Sequence, residues 1–147
     1  MRPAEQRIAD VCTRLESDHN VWLATASAAG VPHLVPLSLA WDGTHILVAT
    51  PTDSPTVRNA VTSPAVKANL DDADDVVLIA GSAAVVDFAA ADRTMVTAYV
   101  DRVGWNPAEQ GGDWSLLIIT PQTVRAWRGV AEIQGRTIMR KGEWVAG

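Results

Sequence analysis

The chain is poor in the residues that most small proteins use for special chemistry. Among its 147 residues there is one cysteine, Cys12, so no internal disulfide can form and the fold must rest on its core. Cys12 falls on the apolar side of the first helical stretch, where a packing role is expected. Lysine is nearly absent: Lys67 and Lys141 stand beside ten arginines. The formal charge is −5 with no basic cluster, which argues against nucleic acid as a partner. An anionic ligand would need a local pocket of positive charge. No apolar run is long enough to cross a bilayer and no charged-apolar-small leader is present, so a soluble cytoplasmic protein with no membrane partner is expected. His19, His33 and His45 are scattered, without metal-ligand spacing or cysteine partners, and no metal site is expected. Also missing are a G-x-S-x-G elbow, a P-loop and a G-x-G-x-x-G turn, which removes support for serine hydrolysis and for the common nucleotide cradles.

What is present is a core. With 48% hydrophobic residues, a chain of this length is expected to form one domain over residues 1–147 without covalent staples. Ile8, Val11, Cys12 and Leu15 recur at helical spacing and predict an amphipathic helix over Pro3 to Glu16. Strands follow at Val21 to Ala26, Leu34 to Trp41 and Ile46 to Thr50, joined by the hairpin turns Ala29-Gly30 and Asp42-Gly43. A short helix over Ser54 to Thr62 precedes a strand at Ala65 to Leu70. The acids Asp71, Asp72, Asp74 and Asp75 read as a solvated, solubilising turn. Val76 to Asp87 reads as a long strand buried on both faces, with Gly81 the site of a bulge or bend. Asp92 to Arg102 returns to helical spacing and stops at Gly104. Ser115 to Thr120 and Thr123 to Arg128 supply the last long strand, interrupted by Pro121, and Lys141-Gly142 makes a turn in the tail. Runs of strands with a few short helices predict a mainly β, α+β domain built on a small antiparallel barrel, which also hides sheet edges.

Within this plan Val21 to Asn59 is the most telling segment. Three strands run into a Ser/Thr-rich turn that opens a helix. Ser54 suits the N-cap, Pro55 the first helical position, and Thr56 and Arg58 add a hydroxyl and a charge. The unpaired N–H groups of such a helix start favour an anion, although an ordinary cap would look the same. Pro36 cannot donate to a ladder, so its place in a regular strand marks an edge or a ligand-facing position.

The run HLVPLSLAWDG followed by ILVATPTDSPTVRN resembles the split-barrel flavin and deazaflavin proteins, the superfamily that includes pyridoxamine 5'-phosphate oxidases. It is most similar to the branch that uses coenzyme F420, a 5-deazaflavin. The Trp127-Arg128 pair and the tail GRTIMRKGEW add to the resemblance, which extends over nearly the whole chain. The resemblance implies a six-stranded antiparallel split β-barrel with short flanking helices, a homodimer, and cofactor sites at the dimer interface. It places the flavin-type ring along the backbone of Leu34, Val35, Pro36, Leu37 and Ser38. It places the cofactor phosphate near Thr50, Thr52, Ser54, Thr56, Arg58 and Asn59. Many members carry Lys or Arg where this chain has Ser54 and Thr56, so Arg58 is left as the guanidinium of the turn, with Asp53 opposing it. Lys67 and Asn69 alternate with Ala68 and either face the same site or form a polar outer face. Arg125 and Trp127 share one face of the last strand, and Trp127 either covers a ring or finishes the dimer interface. The remaining tryptophans, Trp22, Trp41, Trp105, Trp114 and Trp144, are expected to pack.

The implied activity is an F420-dependent oxidoreductase that passes a hydride from the reduced deazaflavin to a small conjugated or aromatic substrate, with Tyr99 and Ser38 the available proton donors and no catalytic residue assigned. Two alternatives stand beside it. One is an FMN-dependent oxidase or reductase on the same barrel, and the other is a non-catalytic binder of F420, haem or another planar ligand. A turn with several basic side chains would favour FMN. Arginines along a groove, such as Arg125, Arg128, Arg136 or Arg140, would favour the anionic tail of F420.

Overall fold

A computed structural model describes residues 1–145. Its helices are α1 (Ala4–Ser17), α2 (Pro55–Thr62) and α3 (Arg93–Val103). Its strands are β1 (Asn20–Ala26), β2 (Pro32–Ser38), β3 (Ala40–Trp41), β4 (Ile46–Pro51), β5 (Ala65–Asn69), β6 (Val76–Asp87), β7 (Trp114–Trp127), β8 (Thr137–Arg140) and β9 (Glu143–Trp144). All pairings are antiparallel, in the order β2-β1-β5-β6-β7-β4-β3, with β8 added to β7 and β9 to β8.

The split barrel expected from the sequence is what forms, though the sheet has nine strands rather than six. Two of the extra strands, β8 and β9, lie in the tail, and the third comes from one bend. The run expected as a single strand over Leu34 to Trp41 divides at Leu39, so that β2 pairs with β1 while β3 pairs with β4. One stretch of chain thus supplies both ends of the sheet, which curls it round into a barrel. Leu39 is fully buried at the corner, and its N–H donates to the His19 carbonyl at 2.9 Å.

The long strands correct two expectations. Pro121 does not interrupt β7, which continues for 14 residues. The β6–β7 ladder shifts there instead, with Ala80 opposite Thr123 and Gly81 opposite Pro121. The missing N–H of Pro121 is absorbed in this bulge, and a Cβ on Gly81 would lie 2.5 Å from the Thr120 carbonyl oxygen. Nor is β6 buried on both faces. Val77, Ile79, Gly81 and Ala83 point into the barrel, whereas Val76, Leu78 and Ala80 are half-exposed on its outside, the alternation that the two-residue pleat dictates.

Val21, Leu23, Ile46, Val48, Ile79, Leu117 and Ile119 fill the interior, joined by Val11 and Leu15 from α1 and by Val57 and Ala60 from α2. A second cluster lies outside the barrel, where Leu47, Ala49 and Leu116 meet Phe88 and Tyr99. Helix α3 is fixed over this cluster by Asp92, which accepts from the Thr94 and Met95 N–H groups, and by Gly104, which ends it at φ 80°.

The acidic turn is less idle than its composition suggests. Asp72 accepts the Asp74 and Asp75 N–H groups, and this holds its carboxyl below the usual range. Asp75 is half-buried, 3.1 Å from Arg128 and 3.5 Å from Arg14. Beside it Arg2 reaches Glu132 at 2.8 Å and Asp10 at 2.9 Å, clasping the N-terminal arm to the far end of the chain. Glu132 is buried, and the Arg2 guanidinium holds its carboxyl far below the ordinary value of 4.5.

Candidate functional site

The bend at Leu39 leaves the barrel open along one seam. Because the Leu39 N–H bonds to the carbonyl of His19, the residue just before β1, the alternation of an antiparallel ladder turns Val35 and Leu37 toward β1 as well. Leu34, Pro36 and Ser38 therefore present their backbone groups to the free edge. On the other side, the Thr52 N–H donates to the Asp113 carbonyl at 2.9 Å, so Thr50 and Val48 turn toward β7 and Ala49 and Pro51 toward the seam. Among the described residues no strand pairs with either edge at this height. Pro36 sits where an N–H would have had no ladder partner, which accounts for a proline inside a regular strand.

A cavity of about 430 Å³ opens on this seam, lined on the strand side by Pro36, Leu37, Ser38, Ala49 and Thr50. Its other wall is aromatic. Tyr99 of α3, Trp105 and Trp114 line it, and the three rings meet edge to face at centroid distances of 6.1 and 5.3 Å. Trp105 and Trp114, expected only to pack, flank a loop containing Pro107, Gly111 and Gly112, and the Trp114 Nε1–H donates to the Gly111 carbonyl at 3.1 Å. A pair of tryptophans bracketing a Gly/Pro loop was the available signal; nothing in the spacing shows which strands they face.

Tyr99 is fully buried, and burial pushes its phenol up to about 12. The Ala49 N–H faces the phenol oxygen without forming a well-made hydrogen bond, and the hydroxyl has no other protein partner.

The expected phosphate turn adjoins the cleft. Thr52 and Asp53 line a depression of about 330 Å³ with Gly111, Gly112 and Asp113, and Pro51 and Trp114 belong to both cavities. Ser54 caps α2 by accepting the Val57 N–H at 3.3 Å, and its hydroxyl lies 3.4 Å from that of Thr50. The Thr52 hydroxyl bonds to Ser115 at 2.8 Å. Arg58 is exposed, and its guanidinium folds back to donate to the Asp53 carbonyl. Thr56 is buried, and the Asn59 amide donates to the Thr25 hydroxyl at 3.1 Å, tying α2 to the barrel.

The other expected residues lie apart. Leu34 is exposed and Val35 half-buried farther along β2. Lys67 and Asn69 do not share the cleft of Pro36 and Ser38; they line a separate depression on the outer face with Thr123 and Arg125. Trp127 lies at the end of β7 with the Arg136 guanidinium 5.9 Å from its ring centroid.

A barrel opened along one seam, with an aromatic cleft at the opening, defines the split-barrel class. The family model for pyridoxamine 5'-phosphate oxidase matches residues 9–128, and the chain belongs to that family. Among solved structures it is similar to an F420 reductase, with 22% identity, 76% of this chain and 93% of the other covered, and a TM-score of 0.62. It is also similar to a pyridoxamine 5'-phosphate oxidase-like protein of Listeria innocua, at 16% identity over 82% and 98% of the two chains with a TM-score of 0.67. A haem-binding protein of Mycobacterium smegmatis matches 97% of this chain with 60% of its own length, at 20% identity and a TM-score of 0.69. At these identities the likeness is one of fold. A comparison with curated proteins finds no relative. Among the described residues no helix is long and apolar enough to cross a membrane.

Proposed function

We propose that the protein is an F420-dependent oxidoreductase acting on a small conjugated or aromatic substrate. The observation that carries this reading is the seam: two unpaired strand edges and an aromatic wall enclose a cleft that adjoins the Thr52–Asp53 turn ahead of α2. The donor set fits a flat heteroaromatic ring with a phosphate-bearing chain. The free edge at Pro36 and Ser38 and the facing edge at Ala49 offer backbone donors and acceptors to a ring rim, while Trp105 and Trp114 offer apolar faces. In the first turn of α2 the Ser54, Val57 and Arg58 N–H groups are already bonded and Pro55 has none, so the Thr56 N–H, with the hydroxyls of Thr52 and Ser54, would meet a phosphate.

Bound F420 in its reduced form supplies a hydride to an electron-poor C=C or C=N bond. The chain's part is to orient the reactants and exclude water. Ser38 and Thr50 bring hydroxyls to the cleft wall, and Tyr99, whose ring lines it with the hydroxyl buried, keeps its proton at every working pH because its phenol is held near 12. F420 is preferred to FMN because the turn has one guanidinium, Arg58, already engaged with the Asp53 carbonyl. The exposed outer residues Trp22 and Leu34, on the strands beside the cleft, support a second copy covering this face in a homodimer.

The test is an absorption spectrum of the purified protein followed by separate titrations with F420 and FMN, monitored by ligand fluorescence. F420 should bind more tightly. Tight FMN binding with no response to F420 would replace this reading with the flavin one, and binding of neither would leave a fold without this function. If Arg58 turns to a bound phosphate, Arg58→Ala should weaken the complex by about 1.5 to 3 kcal/mol.

A further inference from the structure

Among the described residues, the seam cleft and the depression beside it hold no cationic side chain. Neither space is lined by Lys, Arg or His, whereas Asp53 and Asp113 both line the depression. The two carboxylates are exposed and make no ion pair or side-chain hydrogen bond with any described residue. Arg58, the guanidinium of the adjoining turn, donates to the Asp53 carbonyl and pairs with neither.

Trp114 lines both spaces and so stands between the aromatic wall and the two acids. Its Nε1–H is tied to the Gly111 carbonyl at 3.1 Å, and Trp105 packs against it at 5.3 Å, so the indole is held in place. The face of an indole carries negative partial charge and is the best aromatic partner for a cation. A phosphate at the Thr56 N–H would add charge of the same sign. This end of the cleft therefore attracts a positive ligand and offers an anionic one nothing to neutralise it. Proton supply points the same way. Hydride addition to a neutral C=C bond must be completed by a proton, yet the wall offers the alcohols of Ser38 and Thr50 and a buried phenol pushed up to about 12, all poor acids at neutral pH.

We infer that the substrate is a cation, a flat conjugated iminium or N-alkylated heteroaromatic ring, seated against Trp114 with its charge toward Asp53 and Asp113. The inference rests on the hydride transfer proposed above for the fate of this substrate, though not for its binding. A hydride received at the carbon of a C=N⁺ bond forms one C–H bond, and the π pair withdraws onto nitrogen as a lone pair. The cation is reduced to a neutral amine, the reduced deazaflavin is oxidised by the two electrons it gives up, and no proton leaves the protein. The product has lost the charge that held it, which favours its release.

Calorimetric titration of the full chain, without F420 and at neutral pH, with 1-methylquinolinium, quinoline and 1-naphthoate compares bicyclic rings of similar size that are positive, neutral and negative. The cation should bind about tenfold more tightly than quinoline, and naphthoate most weakly. Asp53→Asn and Asp113→Asn should each weaken 1-methylquinolinium about threefold and leave quinoline unchanged, and the difference should shrink as salt is raised. Asp71→Asn removes the same charge from a turn that lines neither space, and it should change nothing. All three carboxylates are exposed, so melting temperatures should not move. Equal binding of the positive and neutral rings, tighter binding of naphthoate, no binding of any ring, or an equal loss in Asp71→Asn overturns the inference. None of these outcomes bears on the F420 titration, and FMN in place of F420 would leave the preference for a cation standing, so the two proposals fail separately.

Discussion

The clasp at the N-terminus and the seam between β2 and β4 treat polar groups in opposite ways. In the clasp, Glu132 is buried but accepts from the Arg2 backbone N–H at 2.9 Å, the Arg2 side chain at 2.8 Å and the Arg128 N–H at 2.6 Å. In the seam, two strand edges face each other without a ladder and the Tyr99 hydroxyl has no protein partner. Each region buries a polar group, Glu132 in one and the Tyr99 hydroxyl in the other, so the difference is in who completes it. Where the chain completes its own hydrogen bonds, it gains rigidity. Where it leaves them unmet beside a cavity, the cost makes sense if another molecule supplies the partners.

The largest effect is expected from breaking the clasp. Glu132→Ala would leave the Arg2 guanidinium, 14% exposed, beside an empty place, and should destabilise the protein by about 3 kcal/mol in chemical denaturation. Its pH dependence has a fixed sign. The folded-state pKa of Glu132 lies below the ordinary 4.5, so the stabilisation is complete above that value and is lost as pH falls through the folded-state value. The variant should show a flatter loss of stability in acid than the wild type, and a parallel loss would mean that other carboxylates control acid unfolding.

A second comparison concerns the closed side of the barrel. Gly81→Ala would drive a Cβ to 2.5 Å from a backbone oxygen that cannot swing away, at a cost of about 2 kcal/mol in the same assay. An unaffected midpoint would mean that the bulge is soft enough to move. Ser54→Ala, at the mouth of the seam, removes one helix cap and should cost about 1 kcal/mol. A larger loss would assign the Ser54 hydroxyl more than its cap, through its 3.4 Å approach to Thr50.

The sequence was legible where one local rule decided the outcome. Asp92 and Gly104 bound α3, Ser54 caps α2, and Gly81 marks the bulge, each through a backbone demand that few residue types meet. Pro36 signalled a strand edge for the same reason. What could not be read depended on which elements meet in space. The bend at Leu39 looks like one more apolar strand residue, so the division of β2 from β3 was hidden. Asp75 looks like its acidic neighbours until Arg2, Arg14 and Arg128 are brought to it from distant segments. Trp105 and Trp114 likewise become cleft walls only because α3 and β7 stand beside the open edge.

The smallest effect carries the sharpest comparison, because its sign should be opposite to the others. Tyr99→Phe keeps the ring that contacts Phe88 at 6.0 Å and Trp105 at 6.1 Å and removes one oxygen with no well-formed bond. If the hydroxyl is unmet in the free protein, the variant should be as stable as the wild type or more stable by up to about 1 kcal/mol, since an unsatisfied buried donor is unfavourable. Addition of the ring ligand should reverse the order: the wild type gains a hydrogen bond in the cleft that the variant lacks, and its melting temperature should rise further at equal ligand concentration. A variant that is less stable without ligand would show that the Ala49 N–H already satisfies the phenol, making that end of the seam as self-contained as the clasp.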